Sequence, residues 1–371
     1  MVILWDARTG DPLHRLAGHR GDVNCVAFSP DGRLVVSGAD DDMVLLWDTR
    51  TGERLSTLEG HRSGVNSVVF GADGATVASA GDDRWIILWD AITGQQLRRL
   101  EGHRGGVNSI ALSPNGALLA SGSDDRSVIL WDLATGKQVR RLDGHRSQVN
   151  CVAFSPDGIL LASGSSDRRL ILWNPTTGQQ TGAFPGHRSS VDCLAFGADR
   201  ALLVSASSGD ALVWDANTGQ QLLTLHEPDS DVNCVAFAFD GNTVAGGMED
   251  GAVVLWEAEL GTVWQRLPRF RRAEVRCVAA SPDGLLLAAG GDDGSIALWE
   301  AKTGRYGATL RGHAGDVNCL AFTHDGALLA SGSDDNTIII WDANVEAFLG
   351  KKTPKKALDD AAAKIDKLRG M

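Results

Sequence analysis

The sequence predicts an all-β protein built from eight repeated, four-stranded antiparallel sheets, and two observations carry this prediction. A phrase centred on Trp, first seen as "ILWD", occurs nine times at intervals of 41 to 43 residues. Each period also contains short apolar segments separated by turn sequences such as "SPDG". A repeat of this length is typical of arrays in which every unit is one small supersecondary structure.

The unit that follows His19 shows the four strands in order. Val23–Phe28 is the first predicted strand, and Pro30, Asp31 and Gly32 supply the chemistry of a hairpin turn. "RLVVSGA" is the second strand, "MVLLW" after an acidic turn is the third, and "ERLSTLEG" is the fourth. The inner strands are apolar along most of their length, which indicates that both faces of the sheet are covered.

Counting strands predicts how the array closes. A small sheet cannot cover both of its faces alone, so the sheets are expected to stack in a ring. The last unit ends at Trp341 without a fourth strand, and "PLHRLAG" at 12–18 lies at the N-terminus without a neighbour. We expect these two segments to pair and close the ring. Met1–Trp5 is then a surplus strand that is displaced, lies on an edge or joins another molecule.

The ring is predicted over residues 1–349, and a basic tail follows over 350–371. Thr353, Pro354 and Gly370 are the start and stop signals of a short C-terminal helix in this tail. Docking on the ring, docking on a partner helix and fraying are all open for this helix. The predicted blades are roughly 19–60, 61–102, 103–144, 145–186, 187–227, 228–270, 271–312, and 313–342 with 12–18.

The Gly-His pair at one end of the period and the Trp-Asp pair at the other resemble those of the WD40-repeat β-propellers. The resemblance covers residues 1–342, and the near-identical repeats look like those of bacterial members. It implies an eight-bladed WD40 β-propeller of four-stranded antiparallel blades. It also implies that a His, a second-strand Ser, a turn Asp and the Trp form one hydrogen-bonded set in a blade. These sets are His19, Ser37, Asp41 and Trp47; His61, Ser79, Asp83 and Trp89; His103, Ser121, Asp125 and Trp131; His145, Ser163, Asp167 and Trp173; and His313, Ser331, Asp335 and Trp341.

Three units depart from this pattern. The fifth keeps His187, Ser205 and Trp214 but is one residue shorter before its third strand, which displaces the Asp. The sixth and seventh have Gly246 and Ala289 at the Ser position. We therefore expect blades five to seven to be the least firmly tied. Ser, His and Asp together also suggest a nucleophilic triad, but five copies around one ring favour a structural role.

Residues that vary between the units indicate a contact surface on the ring face that carries the loops. An Arg follows the His in five units and follows the acidic turn in three, while Asp22, Asp40, Asp42, Asp231 and Asp316 occupy the opposite arc. The alternatives are that the arginines are solvated and that Trp85 packs between blades. The basic loop "RLPRFRRAEV" adds a second candidate contact. The candidate partner-binding residues are Arg62, Arg84, Trp85, Arg104, Arg126, Arg146, Arg168, Arg188, Arg269 and Phe270.

Composition argues against several classes of function. The formal net charge of −12 argues against sequence-independent nucleic-acid binding. No apolar run is long enough to cross a bilayer and no secretory signal is visible, so a cytoplasmic location is expected. The six cysteines share one position of the repeat, about 10 Å apart in neighbouring sheets, which predicts reduced, buried thiols. No catalytic residue, metal or cofactor is expected.

The resemblance therefore implies a non-enzymatic scaffold that recognises a protein or peptide on the loop-bearing face of a monomeric ring. One alternative is a phosphorylated or nucleic-acid ligand on the arginine-rich arc. Another is an engineered or consensus-like propeller with no native ligand. Association through the surplus N-terminal strand or the C-terminal helix stays open.

Overall fold

The computed structural model describes residues 13–198, 202–227, 230–238, 241–267 and 273–342. These residues form 32 β-strands in eight separate sheets of four antiparallel strands. The prediction of an eight-bladed propeller is therefore confirmed. The predicted C-terminal helix and the surplus strand Met1–Trp5 lie outside the described residues.

Blades are numbered by their order in the chain, and strands by position within each blade. The first strands, which contact one another around the ring centre, are β2 (Val23–Phe28), β6 (Val65–Phe70), β10 (Val107–Leu112), β14 (Val149–Phe154), β18 (Val191–Phe196), β22 (Val232–Phe237), β26 (Val275–Ala280) and β30 (Val317–Phe322). The second strands are β3 (Leu34–Ala39), β7 (Thr76–Gly81), β11 (Leu118–Ser123), β15 (Leu161–Ser165), β19 (Leu202–Ser207), β23 (Thr243–Met248), β27 (Leu286–Gly291) and β31 (Leu328–Ser333).

The third strands are β4 (Met43–Asp48), β8 (Ile86–Asp90), β12 (Ser127–Asp132), β16 (Arg169–Trp173), β20 (Asp210–Asp215), β24 (Val253–Glu257), β28 (Ser295–Glu300) and β32 (Thr337–Asp342). The fourth strands are β5 (Arg54–Glu59), β9 (Gln96–Leu100), β13 (Gln138–Asp143), β17 (Gln180–Pro185), β21 (Gln221–Leu225), β25 (Val263–Leu267), β29 (Tyr306–Arg311) and, for blade 8, β1 (His14–Ala17).

An Asp follows the Trp in blades 1, 2, 3 and 5 and builds the turn into the fourth strand. In blade 1 the Asp48 carboxylate accepts the N–H groups of Arg50 and Thr51 at 2.9 and 2.8 Å. Gly52 then adopts φ +71° and returns its N–H to the Asp48 carbonyl at 2.9 Å. A short polar side chain and a residue without Cβ are what such a turn requires, which explains why "D-x-x-T-G" recurs.

The hydrophobic core lies between neighbouring sheets. Between blades 1 and 2, Val36 and Leu46 pack against Val65, Ile87 and the fully buried Trp89 of the next sheet. The recurrent small residues of the second strand make this approach possible. A side chain at Gly38 would place its Cβ 2.5 Å from Val65 Cγ1, so only glycine fits there.

The cysteines belong to the same interblade packing. All six are free, and Cys25 Sγ lies against Gly38 and donates toward backbone carbonyls at 3.8 and 3.9 Å. Burial raises the pKa of the Cys319 thiol to about 12. The thiols therefore act as small apolar groups, and the absence of disulfides agrees with their expected spacing.

The ring closes through the N-terminal strand, as predicted. β1 pairs antiparallel with β32, with His14 opposite Ile340 and Ala17 opposite Thr337. The Leu13 N–H donates to the Ile340 carbonyl at 2.8 Å, and Leu16 is only 1% exposed. Blade 8 therefore contains both ends of the described chain.

Candidate functional site

The structure brings together all four members of each predicted hydrogen-bond set. In blade 3, His103 Nδ1 lies 3.0 Å from an Asp125 oxygen and His103 Nε2 lies 2.7 Å from Ser121 Oγ. The Trp131 indole N–H donates to the same Ser121 oxygen at 2.9 Å. The same contacts join His19, Ser37, Asp41 and Trp47; His61, Ser79, Asp83 and Trp89; His145, Ser163, Asp167 and Trp173; and His313, Ser331, Asp335 and Trp341.

The geometry assigns these sets a structural role. Because the Asp125 carboxylate can only accept, the proton of a neutral His103 ring lies on Nδ1, and Nε2 then accepts from the Ser121 hydroxyl while Ser121 Oγ accepts the indole N–H. Ser121 is 0% exposed, as are its four counterparts. An external substrate cannot reach a hydroxyl that is buried in this way. These sets therefore share residue types with a nucleophilic triad but not its accessibility.

The aspartate of each set anchors the loop that carries the histidine. Asp125 accepts the Arg104 N–H at 2.8 Å in addition to His103, and its second oxygen accepts both the N–H and the hydroxyl of Ser127. Arg141 from β13 approaches it at 3.3 Å. Burial alone would raise the pKa of Asp125, but the hydrogen bonds from His103 and Ser127 outweigh burial and hold that pKa well below its usual range.

Blade 5 has its aspartate displaced along the repeat, as expected, yet this aspartate still completes the network. Asp210, the first residue of β20, reaches His187 Nδ1 at 3.0 Å, while His187 Nε2 contacts Ser205 at 2.6 Å. The turn in blade 5 is one residue shorter, and Gly209 accommodates this with a φ of +113°, which changes the direction of the chain. The sequence signal for this network role is a carboxylate at the first position of the buried third strand. The other blades have their carboxylates in the turn before that strand.

Blade 6 has no such histidine network among its described residues and uses ion pairs instead. Arg266 on β25 contacts Glu227, which precedes the position of Pro228, and also contacts Asp250 at 2.6 Å. Where other blades have Ser, a Cβ on Gly246 would lie 2.4 Å from the Trp256 ring. The indole therefore fills the volume that the Ser side chain occupies elsewhere.

The carboxylates of these networks make the fold sensitive to strong acid. Hydrogen bonds from the histidines lower the pKa of Asp83 and Asp335 against the opposing effect of burial, as they do for Asp125. In the unfolded chain these groups bind protons near pH 3.9. Their contribution to stability is therefore complete above about pH 4 and is lost as the pH falls further.

The buried histidines begin to reduce stability at a higher pH than the carboxylates do. Burial lowers the pKa of His19, His145 and His187, although the facing carboxylates partly oppose it. Between about pH 6.5 and each lowered folded-state pKa, the unfolded chain holds more protons than the folded one, so acid favours unfolding. We expect the urea midpoint to fall gradually below about pH 6.5 and steeply below about pH 4. A midpoint that stays constant from pH 7.5 to 3 would contradict this.

The predicted arginines lie on the ring face formed by the loops before the first strands and by the turns between the second and third strands, here called the loop face. The backbone N–H groups of Arg62, Arg104 and Arg146 donate to Asp83, Asp125 and Asp167 at 3.0, 2.8 and 2.7 Å. Their side chains are exposed, as are those of Arg84, Arg126, Arg168 and Arg188. The loop backbone is thus held while the guanidinium groups face solvent. Arg269 and Phe270 lie outside the described residues.

The arginines that follow the acidic turns occupy a strained, left-handed backbone conformation. Arg84, Arg126 and Arg168 have φ values of +73°, +72° and +68°. Gly251 and Gly294 take this position in blades 6 and 7 at +82° and +74°. A left-handed residue with a Cβ costs about 1–2 kcal/mol, so glycine is the residue that stability alone favours here.

Trp85 forms a stacked cluster that the sequence indicated only in part. Its half-buried ring packs against the core of blades 1 and 2. The Arg99 guanidinium lies 4.1 Å from the ring centroid, and that of Arg62 lies 5.1 Å away. Arg99 also pairs with Glu101 at 2.5 Å. Trp85 therefore packs into the interblade core and also carries two cations on the loop face.

Carboxylates line the inner part of the loop face. Asn24 donates to Asp40 at 2.6 Å and to the Val65 carbonyl of the next blade at 3.2 Å, a link that Asn66 and Asn108 repeat. Partial desolvation and the nearby carboxylates of Asp334, Asp40 and Asp316 raise the pKa of Asp22. We call Asp22, Asp40, Asp316 and Asp334 the blade 8/1 carboxylate cluster. The rim of blades 2 to 5 thus carries cations, while carboxylates line the inner part of the face and cluster at blades 8 and 1.

Within the described ranges, no group of three or more His, Cys, Asp or Glu side chains is arranged to hold a metal ion. Among the same residues, no helix has the length and apolar character needed to cross a membrane.

Family models match successive parts of the ring. Residues 1–170 match the first β-propeller domain of WDR3, and residues 130–279 match the first β-propeller of IFT122. The WD domain, G-beta repeat, matches residues 265–300 and 304–342. Taken together, the matched segments cover residues 1–300 and 304–342.

Matches to curated proteins are confined to one repeat. Periodic tryptophan protein 2 of Arabidopsis thaliana is 48% identical over 40 residues, and its homolog in Neurospora crassa is 47% identical over 38. These segments are 11% and 10% of this chain and only 4% of either relative. Both relatives are eukaryotic, so they give no support to the expected bacterial type.

A solved structure matches the whole ring. The crystal structure of the computationally designed Ika8 protein has a TM-score of 0.80 and 31% sequence identity, and the match covers 91% of this chain and 100% of that one. The architecture, the recurrent His-Ser-Asp-Trp sets and the repeat models agree. This chain is therefore an eight-bladed β-propeller that contains WD40 repeats and resembles the propeller domains of WDR3 and IFT122.

Proposed function

We propose that this chain is a non-enzymatic scaffold that binds a protein or peptide on its loop face. The observation that carries the proposal is the concentration of exposed arginines on blades 2 to 5 of an otherwise acidic ring. Opposed positive and negative regions on one face orient an approaching partner and fix its register. WD40 propellers in general bind protein partners.

The rigidity of the face supports this use. The backbone N–H beside each of the buried histidines His61, His103 and His145 is bound to the network carboxylate. Loops that are already ordered lose little conformational entropy when a partner binds. The arginines at positive φ add to the argument, because backbone strain that glycine would relieve is often retained for function.

Trp85 with Arg62 and Arg99 is the expected energetic centre of the interface. Aromatic and arginine side chains dominate binding energy when they are packed and preorganised. The guanidinium groups of Arg99 and Arg62 both lie over the ring, which also packs against the core of blades 1 and 2. We expect Trp85→Ala to weaken partner binding by about tenfold or more.

The test is a selection of binding peptides from a random display library on the purified protein, followed by hydrogen exchange with and without the selected peptide. We expect protection on the loop face and weaker binding by the W85A variant. Trp264→Ala is the matched control, since Trp264 is 48% exposed on the outer strand β25. Protection confined to the outer strands, or equal loss in both variants, would overturn the proposal.

An engineered or consensus-like propeller without a native ligand is the second candidate. The observation that favours it is the full-length similarity to a designed protein, together with the strict period of the repeats. In that case, the selection returns no binder that depends on Trp85 or on the loop-face arginines. The departures of individual blades from the repeat favour the first candidate, because strict repetition would not produce them.

A further inference from the structure

A groove opens on the loop face at the junction of blades 4 and 5. It encloses about 500 Å³, within the range of small-ligand sites at about 300–1,000 Å³. Its wall includes the guanidinium-bearing residues Arg146, Arg168 and Arg169 and the hydroxyl-bearing residues Ser147 and Ser166. The groove is therefore lined mainly by hydrogen-bond donors.

The three arginines keep their charge available to a ligand. In the described part of the chain, no carboxylate lies within 4.0 Å of the guanidinium groups of Arg146, Arg168 or Arg169. One carboxylate, that of Asp167, belongs to the wall, but it is only 5% exposed. Its oxygens already accept His145 and the backbone N–H groups of Arg146 and Arg169. The groove thus has an unneutralised positive charge.

Three departures from the repeat create this charge, and all three lie in the groove wall. Ser166 removes an acid, Arg169 adds a cation and Pro185 removes a second acid, relative to blades 1 to 3. The residues at the position of Ser166 in those blades are Asp40, Asp82 and Asp124. Those at the position of Arg169 are Met43, Trp85 and Ser127, and those at the position of Pro185 are Glu59, Glu101 and Asp143.

These three substitutions do not compensate for a defect in the hydrogen-bond network of blade 4. Blade 4 keeps its complete network, with His145 bonded to Ser163 at 2.8 Å and Trp173 bonded to Ser163 at 2.9 Å. Each of the three changes instead moves the local charge by one unit in the same direction. Independent structural substitutions have no reason to converge on one sign in one groove.

We propose that this groove binds the phosphoryl group of a phosphorylated side chain on a peptide. Guanidinium groups bind phosphate oxygens through paired, charge-assisted hydrogen bonds. The groove is larger than a phosphate group, so it also accommodates the residue that bears the phosphate. The inference rests on the proposed function, since it names the chemistry that the loop face recognises.

A nucleic acid fits the face less well than a single phosphorylated residue. The blade 8/1 carboxylate cluster lies on the same face, and the chain has a formal net charge of −12. A polyanion that crossed the ring would meet these carboxylates, whereas one phosphoryl group at the blade 4/5 groove does not.

The first experiment measures inorganic phosphate binding by NMR, from the Nε–Hε signals of the arginine side chains. We expect shifts at Arg146, Arg168 and Arg169, and a loss of affinity of about tenfold or more in the R169S variant. Arg50→Ser is the matched control, because it removes the same charge from an exposed turn between the third and fourth strands of blade 1, and it should change affinity by about twofold at most. Equal losses in the two variants, or shifts spread over blades 2 and 3, would overturn the proposal.

The second experiment compares phosphorylated peptides, their unphosphorylated forms and a single-stranded oligonucleotide in direct binding. We expect preference for phosphorylated peptides and its loss in S166D, which restores the acid found in blades 1 to 3. Loop-face binding that ignores phosphorylation would overturn the groove assignment and leave the proposed function standing. Tighter binding of the oligonucleotide would also overturn the assignment. Phosphate binding without any peptide binding would overturn both proposals.

Discussion

Replacing Asp125 with asparagine is expected to lower the free energy of unfolding by about 3–5 kcal/mol, as breaking a buried charged network does. The Asp125 side chain is 6% exposed, and its two oxygens accept His103, the Arg104 N–H, and both the N–H and the hydroxyl of Ser127. An amide of the same shape turns one acceptor oxygen into a donor that faces other donors. Urea unfolding at pH 7 measures the loss.

The matched control is Asp143→Asn in the same blade. Asp143 pairs with Arg141 at 3.2 Å but is 74% exposed, so its replacement should change stability by about 0.5 kcal/mol at most. Equal urea midpoints for the two variants would show that the network contributes little. Hydrogen exchange should place the loss in blade 3 and its neighbours.

Removing the N-terminal strand is expected to have the second large effect. Leu16 is 1% exposed and packs with Ile338 and Ile340 of β32, so Leu16→Ala should cost about 2–5 kcal/mol. A chain that begins at Gly18 loses β1 altogether and leaves β32 as an unpaired edge above an open core. Such edges pair with other chains, so self-association should accompany the loss of stability.

Two references isolate the role of closure. A chain that begins at Leu13 keeps β1, so the difference between the two truncated chains reports this strand alone. Leu55→Ala tests the same substitution on a half-exposed outer strand and should cost under about 1 kcal/mol. A chain that begins at Gly18 and remains monomeric in light scattering, with an unchanged unfolding midpoint, would contradict the assigned role of β1.

The fold was predictable because the same strand and turn signals recur in successive repeats. Every copy of "VNCVAF", "SPDG" and "ILWD" places a strand or turn at the same interval, so an error in one unit is corrected by the others. The closure also followed from counting, since one fourth strand was missing at the C-terminus and one was present at the N-terminus.

The candidate site was less predictable because its contacts join residues that the repeat does not align. A β-bulge at Leu88 and Trp89 shifts the register so that Arg99, rather than Arg98, lies opposite Ile87. Counting from the turn therefore selects the wrong arginine to stack on Trp85. Ser166 and Pro185 are visible as departures in the sequence, but it is the pairing of β16 with β17, which sets Arg169 opposite Pro185, that brings the two departures into one groove wall.

The pairing of β1 with β32 also determines when the molecule can be completed during translation. Arg15 and Asp335, which form an ion pair across this junction, are separated by 320 positions. At ribosomal rates of about 5–20 residues per second, the N-terminal strand is made at least about 16 s before its partner. During that interval seven blades are able to stack, while the strand that will finish the eighth has no sheet to join. A circular permutant that begins at Gly18 and places 12–17 after β32 would remove this delay and make the last blade from adjacent sequence.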